Sequence, residues 1–193
     1  MAASRKTSDA VSSTYLIALG SNRRHGLYGP PPHVVRAAME ECAALGTVAA
    51  RSPVMATPAM GAAQRRFANA ALVLDSDLTP PALLAALKRM EREFGRRPGQ
   101  RWGDRVLDCD IVLWSGGVWR SGRRSASLTI PHPAFALRDF VLTPARAIAP
   151  DWRDPVSGLT LAHLHARLTR RRPLLRGAPS LPTCSAKASR VDP

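Results

Sequence analysis

Aromatic residues are scarce: four Phe, four Trp and two Tyr make up 5% of the 193 residues. That is thin for a surface that stacks successive nucleic-acid bases. Acidic residues are also few, 14 against 28 Lys and Arg, which leaves a formal net charge of +14. Such an excess calls for a polyanionic partner, either a nucleic acid or a small polyphosphate such as ATP. The cysteines number only three, Cys42, Cys109 and Cys184, odd in count and widely spaced. They fit no zinc pattern and no disulfide framework. Cys42 and Cys109 fall at apolar-patterned positions and are expected to act as small buried hydrophobes, which suits a reducing cytoplasm. Long apolar runs are missing too. The early run at residues 15–19 stops far short of the roughly 20 residues a membrane helix needs. Residues 1–14 lack an apolar signal core and are expected to form a disordered leader.

What remains is enough for one domain with a real core, since 45% of the chain is apolar. Residues 15–22 predict a buried strand ending in a turn, followed by a Gly-, Pro- and Arg-rich loop over 23–32. The spacing of Val34, Val35, Ala38, Cys42 and Leu45 predicts a helix over 32–45 with Gly46 as its stop. Residues 47–56 predict a strand, with Pro53 marking an edge or bulge, and 67–74 predict another. Thr79, Pro80 and Pro81 predict a helix start with a capping hydroxyl and early prolines. Leu83, Leu84, Leu87, Met90 and Phe94 supply its apolar face and Gly95 its end. Lys88 falls on what is expected to be the exposed face of that helix. Ser115, Gly116 and Gly117 predict a hairpin turn into residues 118–120, and a late helix is expected over 159–168. The order strand–helix–strand–strand–helix–strand predicts an α+β domain: a ferredoxin-like split βαβ core, mainly antiparallel, with helices packed on the sheet. The domain is expected to run from 15 to 168. Residues 169–193, with six basic side chains against Asp192, predict a basic disordered tail.

The most informative run is Arg101-Trp102-Gly103-Asp104-Arg105-Val106-Leu107-Asp108-Cys109-Asp110-Ile111. The segment after Arg105 is apolar and β-prone. On a strand, Asp108 and Asp110 point to one face, and Leu107, Cys109 and Ile111 point the other way into a core. Two adjacent carboxylates suit Mg²⁺, which takes one or two of them and keeps its other positions for water and phosphate. The neighbouring arginines complement a polyphosphate through forked, charge-assisted hydrogen bonds. The plainer reading is a pair of surface aspartates matched to surface arginines.

Further motifs follow in order: Leu19-Gly20-Ser21-Asn22, Thr57-Pro58-Ala59-Met60-Gly61, Phe67-Ala68-Asn69-Ala70, Glu91 through Arg96, the Arg101–Asp110 run, Pro131-His132-Pro133, and Arg138 through Leu142. Together they resemble the bacterial pterin pyrophosphokinases of folate synthesis over roughly residues 15–168. The resemblance implies Mg²⁺- and ATP-dependent transfer of pyrophosphate to the hydroxymethyl group of 6-hydroxymethyl-7,8-dihydropterin, giving AMP and the pterin diphosphate. It implies that Asp108 and Asp110 hold two Mg²⁺ ions and that Arg96 and Arg105 hold the phosphates and assist transfer. It places Trp102, Ile111, Thr129, His132 and Arg138 against ATP. It places Thr57, Pro58, Met60, Phe67, Asn69 and Phe140 against the pterin, the two phenyl rings sandwiching it. The implied partners are these small molecules and no membrane, with nucleic acid met only non-specifically through the tail.

The chain departs from the family pattern at Cys109, Asp104, Pro98 and Ser127. Two other readings remain at this point. One is a divergent paralogue acting on another pterin; the other is a basic nucleic-acid-binding module that lost catalysis.

Overall fold

The computed structural model describes residues 12–57, 66–96, 105–121 and 128–170. Its elements are β1 (Ser13–Ser21), α1 (Pro31–Glu41), β2 (Thr47–Arg51), β3 (Met55–Thr57), β4 (Phe67–Ser76), α2 (Pro80–Glu93), β5 (Asp108–Trp114), β6 (Trp119–Arg120), β7 (Thr129–Ile130), α3 (Asp139–Ile148) and α4 (Leu161–Thr169). The main sheet runs β2-β4-β1-β5, with β3 also on β4, and every pairing is antiparallel. That strand order is the ferredoxin-like split βαβ arrangement predicted from the element order.

Period-two alternation divides the sheet between two cores. Tyr15, Ile17 and Leu19 of β1, Ala68, Ala70, Leu72 and Leu74 of β4, and Cys109 and Ile111 of β5 pack beneath α1 and α2. Leu16, Ala71, Val112 and Leu113 face the other way, under α3 and α4. The consecutive pair Val112 and Leu113 shares a face because the β1–β5 register shifts between Leu16 and Ile17. Such a bulge adds one residue and re-phases the strand beyond it. Fully buried leucines such as Leu72, Leu83 and Leu87 each contribute about 1.5–3 kcal/mol relative to exposure.

Four local expectations are corrected. The strand expected over 47–56 is two strands, interrupted at Pro53. There Ser52 substitutes for the ladder: its amide donates to the Ala71 carbonyl and its hydroxyl accepts from the Ala71 amide, both at 2.9 Å. Thr79 stands at the α2 N-cap but makes no side-chain capping bond, and the prolines at the first helical positions remain. The turn at 115–117 forms, but Trp119–Arg120 pairs with β7 rather than folding back on β5. Trp119 packs edge-on across the turn against Trp114, the last residue of β5, ring centroids 5.7 Å apart, while its backbone pairs with Ile130 of β7. The helix expected over 32–45 is α1 continued as a 3-10 turn, Cys42–Leu45. Among the described residues no helix is long and apolar enough to cross a membrane.

Candidate active site

On the face of the sheet that α3 and α4 cover, one row of residues crosses three strands. Asn69 of β4 pairs with Gly20 of β1, which pairs with Asp108 of β5. One step along, Ala71, Ala18 and Asp110 form the next row. Asp108 and Asp110 therefore share a face, as their i, i+2 spacing predicts, with side chains about a quarter and a third exposed. Gly20 keeps the space between Asn69 and Asp108 open. A Cβ there would come within 3.1 Å of Asn69 Oδ1, tighter than an ordinary contact. The sequence motif contained this glycine without revealing what it leaves room for.

The end of α2 delivers the first arginine. Gly95, at φ 86°, takes the left-handed conformation that glycine adopts at no cost. Its amide bonds to the Arg92 carbonyl and the next amide, of Arg96, bonds to the Glu91 carbonyl at 3.0 Å. This closed helix end turns Arg96 towards β5. Its guanidinium donates to Asp108 Oδ1 at 3.0 Å and to Glu91 Oε2. Burial opposes the Arg96 charge, but Glu91 and Asp108 outweigh it and raise the pKa above its ordinary value. Arg105 donates to the other oxygen of Asp108, Oδ2, at 2.5 Å. Its backbone is clasped by buried Asn22, whose side-chain oxygen accepts the Arg105 amide at 2.6 Å.

Lys88 is not the freely exposed residue its helix position predicts. Its ammonium donates to Glu91 Oε1 at 2.6 Å and to the Cys109 carbonyl at 2.9 Å, and lies 3.7 Å from Asp110. Helical periodicity placed it correctly on α2 but could not show that β5 passes beneath it. Cys109 itself faces the α1–α2 core, fully buried, and burial pushes its thiol pKa well up.

Opposite Asp110 stands His132, Nε2 to Oδ2 3.9 Å. Its amide donates to Val112 and its Nδ1 accepts from the Ala134 amide at 3.3 Å. That contact places the proton of the neutral ring on Nε2, facing the carboxylate. Burial holds the His132 pKa below its ordinary value against the pull of Asp110, and Arg138 adds to the lowering. Arg138 caps α3 and lies 5.8 Å over the Phe140 ring. Thr129 is half-buried on β7, and Ile111 is buried in the core below the carboxylate face. At the other end of the row, Asn69 Nδ2 donates to Thr57 Oγ1 at 2.7 Å. Phe67, two residues before Asn69, is half-buried on the same face of β4, and Phe140 is half-buried in the first turn of α3. Pro58, Met60 and Trp102 lie outside the described residues.

The donor set fits Mg²⁺. Among the described residues no group of three or more His, Cys, Asp or Glu forms a closed cage. Two aspartates on an open face are what a cation needs when substrate phosphates supply its remaining ligands.

Comparison with known proteins decides the family. A family model described as 7,8-dihydro-6-hydroxymethylpterin-pyrophosphokinase matches residues 16–150. The chain belongs to this pyrophosphokinase family. A relative from Pseudomonas aeruginosa, named 2-amino-4-hydroxy-6-hydroxymethyldihydropteridine pyrophosphokinase, is 37% identical over 142 residues, covering 72% of this chain and 82% of its own. One of the same name from Synechocystis is 42% identical over 106 residues, 55% of this chain, and the match spans 52% of the Synechocystis protein. A crystal structure of wild-type Plasmodium falciparum HPPK-DHPS shares the fold at TM-score 0.66 and 12% identity, covering 81% of this chain and 41% of that one. Within this pyrophosphokinase framework the Asp108–Asp110 face, the two arginines and the Asn69–Thr57 pair lie side by side across β5, β1 and β4. The family motifs alone did not disclose Lys88, Asn22 or the role of Gly20, because each acts through contacts distant in sequence.

Proposed function

We propose that the protein transfers the pyrophosphate group of ATP to the hydroxymethyl oxygen of 6-hydroxymethyl-7,8-dihydropterin, releasing AMP and the pterin diphosphate. The observation that carries this reading is the row Asn69–Gly20–Asp108. It sets an amide suited to a heterocycle edge beside a carboxylate flanked by two arginines, with no side chain between them. A flat heteroaromatic ring seated by Asn69, Thr57 and the half-buried Phe67 and Phe140 would direct its hydroxymethyl arm along that row towards Asp108. Pro58 and Met60 complete the proposed pterin contacts, and Trp102, Thr129, His132, Arg138 and the edge-strand backbone of Ile111, whose side chain is buried in the core, the nucleotide contacts.

In this reading Asp108 and Asp110 hold two Mg²⁺ ions. Held by these carboxylates, the ions would supply charge neutralisation for the phosphates and a lowered pKa for the acceptor hydroxyl. The chain's own residues do the remainder. Arg105 and Arg96 aim positive charge at the transferring group, where charge on the bridging and non-bridging oxygens develops. His132, neutral with its proton on Nε2, donates towards the nucleotide side without adding a charge. Asn69 and Thr57 fix the ring so that the hydroxyl stands in line for attack at the β-phosphorus, the displaced oxygen leaving with AMP.

The test is direct. The protein is incubated with ATP, Mg²⁺ and the hydroxymethyl dihydropterin, and AMP and pterin diphosphate are followed together by chromatography. Equimolar appearance of both, dependent on the pterin, is the expected result. ADP in place of AMP, or AMP without the pterin product, overturns it.

A further inference from the structure

Glu91, on the last turn of α2, is a buried carboxylate with 1% side-chain exposure, and no step above uses it. A buried charge is tolerated only when paired and hydrogen-bonded. Its partners are not scattered through the core. Oε1 accepts from Lys88 at 2.6 Å and from the Cys109 amide at 2.8 Å, and Oε2 accepts from Arg96. Cys109 is the residue between the two aspartates. Its carbonyl is also held from α2, by Lys88 at 2.9 Å.

The topology explains why this matters. β5 is the edge of the sheet, paired on one side with β1. Its outer polar groups would otherwise lack a strand to bond. At Cys109, Glu91 and Lys88 take the place of that strand, one accepting the amide and the other donating to the carbonyl. The same carboxylate grips Arg96, which bridges Glu91 and Asp108. A cation held by Asp108 would compete with Arg96 for its oxygens, whereas Glu91 reaches Arg96 from α2 and would keep its hold.

We propose that Glu91 is a positioning residue that sets Arg96 and the Asp108–Asp110 segment in one fixed relation before substrates bind. This rests on the pyrophosphoryl-transfer reading, and it adds that the arginine is anchored from behind rather than by the metal-facing carboxylate. Glu91 touches no substrate; it acts through Arg96 and the Cys109 backbone. Outer-shell partners of this kind typically change activity about 10- to 100-fold when replaced.

The experiment compares wild type, Glu91→Gln, Arg96→Ala and the double variant. Steady-state kinetics are read beside NMR of the Arg96 guanidinium protons in nucleotide-free protein. In Glu91→Gln, kcat should fall about 10- to 100-fold, with KM for the pterin within about two-fold of wild type. The kcat loss should largely vanish in the Arg96→Ala background, because residues acting through one another are non-additive. The guanidinium protons should exchange faster. Unchanged kcat with unchanged Arg96 signals, or losses that simply multiply, overturns the proposal. Should Glu91→Gln not fold, Asp108→Asn decides: Arg96 should keep its slow exchange because Glu91 still holds it, and loss of protection there overturns the proposal. If wild type releases no AMP, the reaction reading fails, and the exchange measurements still judge the anchoring by themselves.

Discussion

Asn22 and Arg105 clasp each other just past the end of β1. The Arg105 amide donates to Asn22 Oδ1 at 2.6 Å, and the Asn22 amide donates to the Arg105 carbonyl at 3.1 Å. The clasp extends the β1–β5 pairing beyond Gly20 and Asp108. It pins the backbone from which the Arg105 side chain reaches Asp108. Asn22→Ala removes the acceptor of a partly buried amide, a loss worth up to about 1–3 kcal/mol. The expected result is a lower denaturant midpoint together with a fall in kcat larger than any change in KM for ATP. A destabilised variant with wild-type kcat would show that the clasp does not position Arg105.

Arg105 itself separates charge from geometry. Arg105→Ala should lower kcat by on the order of 10²-fold, the usual cost of losing a donor aimed at developing charge. Arg105→Lys keeps the charge but loses the planar fork, so it should recover only part of that loss. If both variants change only KM for ATP, the residue binds nucleotide and does not assist transfer.

The thiols report on the core beneath the carboxylate face. Burial pushes the Cys42 pKa up to about 12 and that of Cys109 well above its ordinary value. The thiolate is the reactive form, so a raised pKa lowers its fraction: at pH 8 a thiol of pKa near 12 is only about 10⁻⁴ ionised. In folded protein at pH 8 both thiols should resist iodoacetamide, and in denaturant both should react. Peptide mass spectrometry after timed labelling reads this out, and rapid native labelling of Cys109 would contradict its burial in the core beneath α1 and α2.

The sheet and its two faces were legible because strand alternation is a local signal. Asp108 and Asp110 emerge together, and Cys109 between them is buried, as a two-residue period requires. The helix ends at Gly95 and Pro80 were legible for the same reason. Glu91 was visible only as one letter of a helix-end motif. Its burial arises because α2 lies along the open edge of β5, eighteen residues further on, and no local pattern encodes that approach. The ion pairs of Lys88 with Glu91 and Asp110 arise from the same approach and are equally invisible to helical periodicity. The hairpin expected after Gly117 formed its turn but not its pairing, since the turn sets reversal and a distant strand, β7, sets the partner. The Thr79 hydroxyl shows that a residue type favoured at a cap does not by itself make the capping bond.

The proposed function makes Asp108 and Asp110 the organisers of Mg²⁺-dependent pyrophosphoryl transfer. The most direct measurement is AMP release across a Mg²⁺ series for wild type, Asp108→Asn and Asp110→Asn, with folding of each checked by circular dichroism. Both side chains are partly exposed, and asparagine preserves their shape, so the variants should stay folded. The account predicts that each loses on the order of 10³-fold or more in kcat, since each removes a ligand from the reacting centre, and that added Mg²⁺ does not restore wild-type rates. Either folded variant working within a few-fold of wild type at ordinary Mg²⁺ contradicts it.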